Sequence, residues 1–325
     1  MNRREFVAGL AGATAWPFVA YSQAARPVLG FLASGERETL SVSLAGFLEG
    51  LKDAGFTDGH NVTIEYRWAE GKFERLPALA AELVRRPVAA IMAAQGTVSA
   101  LAAKRVTSTI PVVFVTADDP LAAGLTANLA RPDGNLTGIL RLGTLLGGKN
   151  LELIHQVVPA ASSIALLVNP NRPTADAQRK NVEAAAATFG KTIHVLNGSS
   201  EAAIKSSFQT IVSERIGALI VPFDPVLNTH RRQIVDLAAR HKIPAAYSLR
   251  EFMAEGGLMS YGDSATETYS LAGTYVGRIL KGASPADLPV QQAARLELVL
   301  NLKTAKSLGI EFPIPLLGRA DEVIE

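Results

Sequence analysis

The chain contains no cysteine. That excludes disulfides, thiolate metal sites, cysteine nucleophiles and lipid attachment at an N-terminal cysteine. Stability must come from core packing, and at 325 residues with 48% hydrophobic content there is chain enough for two cores. Aromatic residues are sparse, at 6%, and the formal net charge is only +2 with no Lys/Arg block. Nucleic acid demands a basic face, so it is excluded as a partner. No window after the first two dozen residues is apolar enough to span a bilayer.

Catalytic and metal signatures are also missing. There is no G-x-S-x-G elbow, and no nucleophile stands beside an evident base. The five histidines, His60, His155, His194, His230 and His241, show neither H-x-x-x-H nor H-E-x-x-H spacing, so no metal site is read. The loop Gly30-Phe-Leu-Ala-Ser-Gly35 is not a dinucleotide fingerprint. Gly143-Thr-Leu-Leu-Gly-Gly-Lys149-Asn150 comes within one residue of a P-loop. It lacks the terminal Ser or Thr that must reach Mg²⁺, and reads as a helix start. The expectation is a non-enzyme without cofactor or metal.

What is present begins at the N-terminus. Arg3-Arg4, then Glu5 and Phe6, precede an apolar stretch from Val7 to Tyr21 and small residues at Ser22 and Ala24. This order of basic, apolar and small residues reads as a cleaved export signal over 1–24, of the twin-arginine type. An uncleaved anchor would need roughly 20 apolar residues; this stretch is shorter, rich in Gly and Ala, and broken by Pro17. The destination expected is the periplasm, as a freely diffusing protein.

After residue 26 short β-branched runs alternate with longer amphipathic stretches. Val28–Leu32, Val62–Tyr66, Ala89–Met92 and Val112–Val115 read as strands separated by helices. The rhythm restarts at Ile164–Val168 and continues through Ile193–Leu196, Ala218–Val221 and Ala245–Tyr247. Such βα alternation predicts parallel sheets covered on both faces. Two blocks predict two α/β lobes: 26–138 plus 262–284, and 139–261 plus 285–325. Several chain passages between lobes make a hinge, and a hinge is a device for closing on a ligand.

Six strand ends carry small polar or aromatic residues: Ser34-Gly35, Gln95-Gly96-Thr97, Thr116-Ala-Asp118, Asn169-Pro170, Phe223-Asp224 and Tyr247-Ser248. In open parallel sheets ligands bind beyond the carboxyl ends of the strands. Helix N-termini there offer free N–H groups to a carboxylate, and Asp118 or Asp224 could hold an ammonium. Each residue by itself reads first as a turn or helix cap; the six ends taken together point to a binding site. Phe31, Trp68, Phe223, Tyr247 and Tyr261 are the aromatics available either to a ligand or to the core.

The ordered set of longer segments is more specific. It includes Arg3-Arg-Glu-Phe6, Gly59-His-Asn-Val-Thr-Ile-Glu-Tyr-Arg-Trp-Ala-Glu-Gly71 and Asn128-Leu-Ala-Arg-Pro-Asp-Gly-Asn-Leu-Thr-Gly138. Gly256-Gly-Leu-Met-Ser-Tyr-Gly262 and Tyr275-Val-Gly-Arg-Ile-Leu-Lys-Gly282 follow. Across nearly its whole length the chain resembles the exported ABC-transporter substrate-binding proteins whose family includes tryptophan binders. The resemblance implies two Rossmann-like lobes with parallel sheets joined by three crossovers, the periplasmic binding protein type 1 architecture. It implies a monomer that captures a small-molecule ligand and delivers it to an ABC permease with a cytoplasmic ATPase. It places Ser34, Gly35, Thr97 and Asp118 on the first-lobe wall, Asn169, Phe223, Asp224 and Tyr247 on the second, and Tyr261 near a hinge; Gln95, Gly96 and Thr116 join them as strand-end residues. Ser248-Leu249-Arg250 departs from relatives that carry an aromatic there. The alternative function is an exported sensory module acting on a membrane kinase or chemoreceptor; an exported hydrolase would need a nucleophile–base pair.

Overall fold

The computed structural model describes residues 26–143, 146–172 and 174–325. The expected leader lies outside them. The first block runs β1 (Val28–Ala33), α1 (Ser41–Asp53), β2 (Thr63–Trp68), α2 (Leu76–Arg85), β3 (Val88–Ala94), α3 (Thr97–Val106), β4 (Val112–Thr116) and β5 (Leu136–Leu140). The second runs α4 (Gly147–Val157), β6 (Ser163–Val168), α5 (Ala175–Thr188), β7 (Thr192–Asn197), α6 (Glu201–Ser213), β8 (Ala218–Val221), α7 (Pro225–Thr229), α8 (Arg231–Arg240), β9 (Ala245–Tyr247), α9 (Glu251–Ala254) and β10 (Met259–Asp263). The tail adds α10 (Ala265–Leu280), β11 (Gln291–Gln292), β12 (Leu296–Asn301), α11 (Leu302–Leu308), α12 (Ile314–Leu317) and β13 (Glu322–Ile324).

These strands form two sheets. The first has the order β11-β5-β4-β3-β1-β2 and is parallel throughout. The second has the order β13-β12-β10-β9-β8-β6-β7, parallel except for β10 against β12. The central strands β1, β3, β4, β6 and β8 are apolar runs because helices cover both faces of each sheet. Each sheet therefore has one core above it and one below. This is the two-lobed α/β architecture expected from the sequence.

The chain passes between lobes three times: after β5, after β10, and between β11 and β12. The last passage departs from the expected boundary at 284/285. β11 pairs with β5, so residues through 292 stay with the first lobe. A two-residue strand carries too little periodicity to be read from sequence. Helix α10, reached by the second passage, packs along α1. Glycines permit that close approach: a Cβ on Gly50 would stand 1.9 Å from the Ser270 carbonyl oxygen, and one on Gly273 2.2 Å from that of Phe47.

The P-loop-like segment is structurally occupied. Helix α4 begins at Gly147, the Gly148 N–H donates to Asn181 Oδ1 at 2.7 Å, and Lys149 pairs with Glu152 at 2.7 Å.

Candidate functional site

A cleft of about 240 Å³ lies between the lobes at the carboxyl ends of their strands. From the first lobe Ser34 and Gly35 follow β1, Gln95 and Gly96 follow β3, and Thr116 ends β4. Phe223, after β8, faces them from the second lobe. These six are among the residues expected from the sequence to contact a ligand. Parallel strands end together, so their loops gather on one edge of each sheet.

The first-lobe wall is locked before any ligand arrives. Ser34 Oγ donates to the Gln95 carbonyl at 2.9 Å, and the Gly35 N–H donates to Gln95 Oε1 at 2.7 Å. The Gln95 N–H donates to the Tyr269 hydroxyl oxygen at 3.1 Å. These three bonds hold Gln95 at φ +61, a left-handed conformation uncommon for a side-chain-bearing residue. Gly96 follows at φ +104, where only glycine is comfortable, and opens helix α3. Burial, the largest influence, pushes the Tyr269 phenol up to about 12. It therefore keeps its proton at neutral pH.

A second network lies beside the cleft. Thr97 Oγ1 donates to Asp118 Oδ2 at 2.5 Å and lies 2.7 Å from Thr116 Oγ1. Thr97 has one hydroxyl proton, so Thr116 donates in the latter bond. Asp118 Oδ1 accepts from Arg172 Nη2 at 2.5 Å, across the lobes. Asp224 Oδ1 accepts from the Val226 and Leu227 N–H groups at 2.7 and 3.0 Å, capping α7. Its pKa is pushed up by burial, which outweighs the attraction of Arg172. Asp118 is thus engaged through both oxygens, whereas Asp224 is engaged through Oδ1 and keeps Oδ2 without a hydrogen-bond partner among the described residues. The sequence expected one of the two to hold a ligand ammonium, and neither lines the cleft.

Thr97, Asp118, Asn169, Asp224, Tyr247 and Tyr261 do not line the cleft. Asn169 closes a turn, its Oδ1 accepting from the Asn171 N–H at 3.1 Å. Tyr247 is fully buried and stacks on Phe252 with ring centroids 4.6 Å apart. Tyr261 packs against the second-lobe core, and its carbonyl accepts from Asn150 Nδ2 at 3.1 Å. Phe31 and Trp68 belong to the first-lobe core.

Among the polar residues that line it and that sequence reasoning missed are Arg141, Asn228 and Glu251. Arg141 Nη2, Asn228 Oδ1 and Glu251 Oε2 are buried, and none has a hydrogen-bond partner among the described residues. A buried polar atom left unpaired is costly, so three around one cleft mark groups waiting for a ligand or water. Arg141 Nε meanwhile holds Asp263 at 2.6 Å, tying the first interlobe passage to the second. Its guanidinium lies 5.0 Å from the Phe223 ring centre. Arg141 directly follows strand β5, so the strand-end rule that singled out Ser34 would have found it. Glu251 opens a four-residue helix and carries no such signal.

Residues 32–324 match the family described as ABC transporter substrate binding protein. The chain belongs to that family. A curated relative of this substrate-binding protein is the Tyrosine-binding protein of Clostridioides difficile (strain R20291). The two are 26% identical over 276 residues, covering 85% of this chain and 79% of the relative. An ABC domain from Streptococcus pneumonia, solved in complex with L-Trp, matches with a TM-score of 0.82 and 26% identity. That match covers 92% of this substrate-binding protein and 100% of the solved chain. A conserved domain protein from Vibrio cholerae matches with a TM-score of 0.83 and 26% identity, over 92% of this chain and 99% of that one. Among the described residues of the substrate-binding protein no helix is long and apolar enough to cross a membrane.

Proposed function

We propose that the chain is the periplasmic solute receptor of an ABC importer, and that its solute is an aromatic amino acid held in the interlobe cleft. The observation that carries this reading is a pair of buried atoms of charged groups at the cleft, Arg141 Nη2 and Glu251 Oε2, neither with a hydrogen-bond partner among the described residues. A zwitterion supplies both missing partners at once: its carboxylate accepts from the guanidinium and its ammonium donates to the carboxylate. Phe223 offers an apolar face beside them. The size fits as well, since drug-sized ligands occupy pockets of about 300–1,000 Å³ and a cleft of about 240 Å³ suits a single metabolite. The tyrosine-binding relative and the L-Trp complex support the same ligand class. In this reading the leader at 1–24 exports the folded chain, a permease with its ATPase accepts the solute, and no step of chemistry intervenes.

Thermal unfolding of ligand-stripped protein tests it. L-Tryptophan or L-tyrosine at 100-fold over its dissociation constant is expected to add roughly 2.7 kcal/mol. Tryptamine and indole-3-propionate, each lacking one charged pole, are expected to add far less. Equal stabilisation by the amino acid and both analogues, or none by any aromatic amino acid, rejects the proposal.

A further inference from the structure

Arg172 stands between two carboxylates that belong to different lobes. It follows β6 in the second lobe, and its Nη2 donates to Asp118 Oδ1 of the first lobe at 2.5 Å. Its Nη1 lies 3.7 Å from Asp224 Oδ2 of its own lobe. That is too long for a hydrogen bond, and both atoms are buried without a hydrogen-bond partner among the described residues. The side chains are 14% exposed for Arg172, 16% for Asp118 and 1% for Asp224. None of the three lines the cleft.

We propose that Arg172 is a positioning residue for solute capture: it latches the closed lobes through Asp118 and transfers to Asp224 when they open. Both acceptors are fixed. Asp118 is held on its lobe by Thr97 and by its own N–H on Thr116 Oγ1, and Asp224 by the first N–H groups of α7. The mobile part is the long arginine side chain. Opening carries Asp118 away from Arg172, and a half-buried cation stripped of its partner is unfavourable. Asp224 removes that penalty, because a shift of about 1 Å brings Nη1 into hydrogen-bond range. The guanidinium keeps a carboxylate in both arrangements, so the lobes exchange one charged hydrogen bond for another. A receptor that must open to load and release needs that near-balance. The Phe223 ring, 5.7 Å from the guanidinium, gives it an apolar surface to slide across.

The two carboxylates therefore act in opposite directions. Asp118→Asn weakens the closed-state acceptor and favours opening. Asp224→Asn keeps an oxygen to cap α7, weakens the open-state acceptor and favours closure. The absence of cysteine makes the full chain suitable for paired spin labels, at Glu49→Cys on α1 and Lys205→Cys on α6, both exposed. Electron–electron distance measurements on ligand-stripped protein are expected to lengthen for Asp118→Asn and shorten for Asp224→Asn. Arg172→Met is expected to lengthen them as Asp118→Asn does, and serves if Asp224→Asn does not fold. Shifts of the two aspartate variants in the same direction, or an unchanged distribution for Arg172→Met, overturn the latch. The consequence for affinity rests on the solute-capture reading: Asp118→Asn should raise the dissociation constant for L-tryptophan about 10-fold, mainly through faster release. If the wild-type chain binds no amino acid, that reading fails while the distances still decide the latch.

Discussion

Arg141 is buried at the hinge with its side chain 7% exposed and Asp263 beside it at 0%. Burial, the largest influence, pulls its pKa down, but the charges of Asp263 and Glu251 more than reverse that and leave it raised. It is therefore a cation with one nitrogen spent on the hinge and another free at the cleft. Arg141→Met would strip Asp263 of its partner, and breaking a buried pair from one side costs about 3–5 kcal/mol. Glu251→Gln is the cleaner probe of binding, because it keeps shape and removes charge. A charge-assisted hydrogen bond is worth about 1.5–3 kcal/mol, so this variant should bind L-tryptophan at least about 10-fold more weakly by calorimetry. Its melting temperature without ligand should match the wild type within a few degrees.

At the scale of elements, the packing of α1 on α10 joins the first block of the chain to a helix more than 200 positions later. Gly50→Ala would put a methyl group against a backbone carbonyl that cannot move away alone. The helices must part, with an expected loss of about 1–3 kcal/mol read from the urea midpoint. Two turns give opposite pH dependence. Asp133 is held below its ordinary value of 3.8 by the N–H of Ala127, then by the Thr126 hydroxyl. Its contribution is present above that value and lost as pH falls through the lowered one. Asp224 is raised above 3.8 by burial, so its contribution is present in acid and lost as pH rises through the raised value. Urea melts from pH 3 upward check this. Relative to Asp224→Asn, the wild type should lose stability as pH rises from 3.8, the ordinary value, upward. Relative to Asp133→Asn, it should lose stability as pH falls below 3.8.

For the whole molecule, three passages of chain join the two sheets. The buried ion pair Arg141–Asp263 joins two of those passages, and Arg172 bridges the lobes beyond the hinge. The cleft, the Arg141–Asp263 pair and the Arg172–Asp118 pair thus meet around Phe223, whose ring lies against both guanidiniums. The interlobe contact is also apolar, since Ala117 of the first lobe packs into a core cluster of the second.

The amino-acid sequence by itself determined the βα alternation, the doubling of the lobes and the set of loops available to a ligand. These follow from local hydrophobic period and turn chemistry, which neighbouring residues carry. Ser34, Gly35, Gln95, Gly96, Thr116 and Phe223 were legible in this way because the ends of parallel strands gather on one edge whatever the rest of the chain does. Only the tertiary structure decided which charges are free. Asp118 looks available until Arg172, 54 positions away, takes one of its oxygens. Tyr247 looks like a ligand platform until the sheet register turns its ring onto Phe252. Whether a polar atom is satisfied depends on groups brought from distant parts of the chain, and local sequence does not encode their meeting.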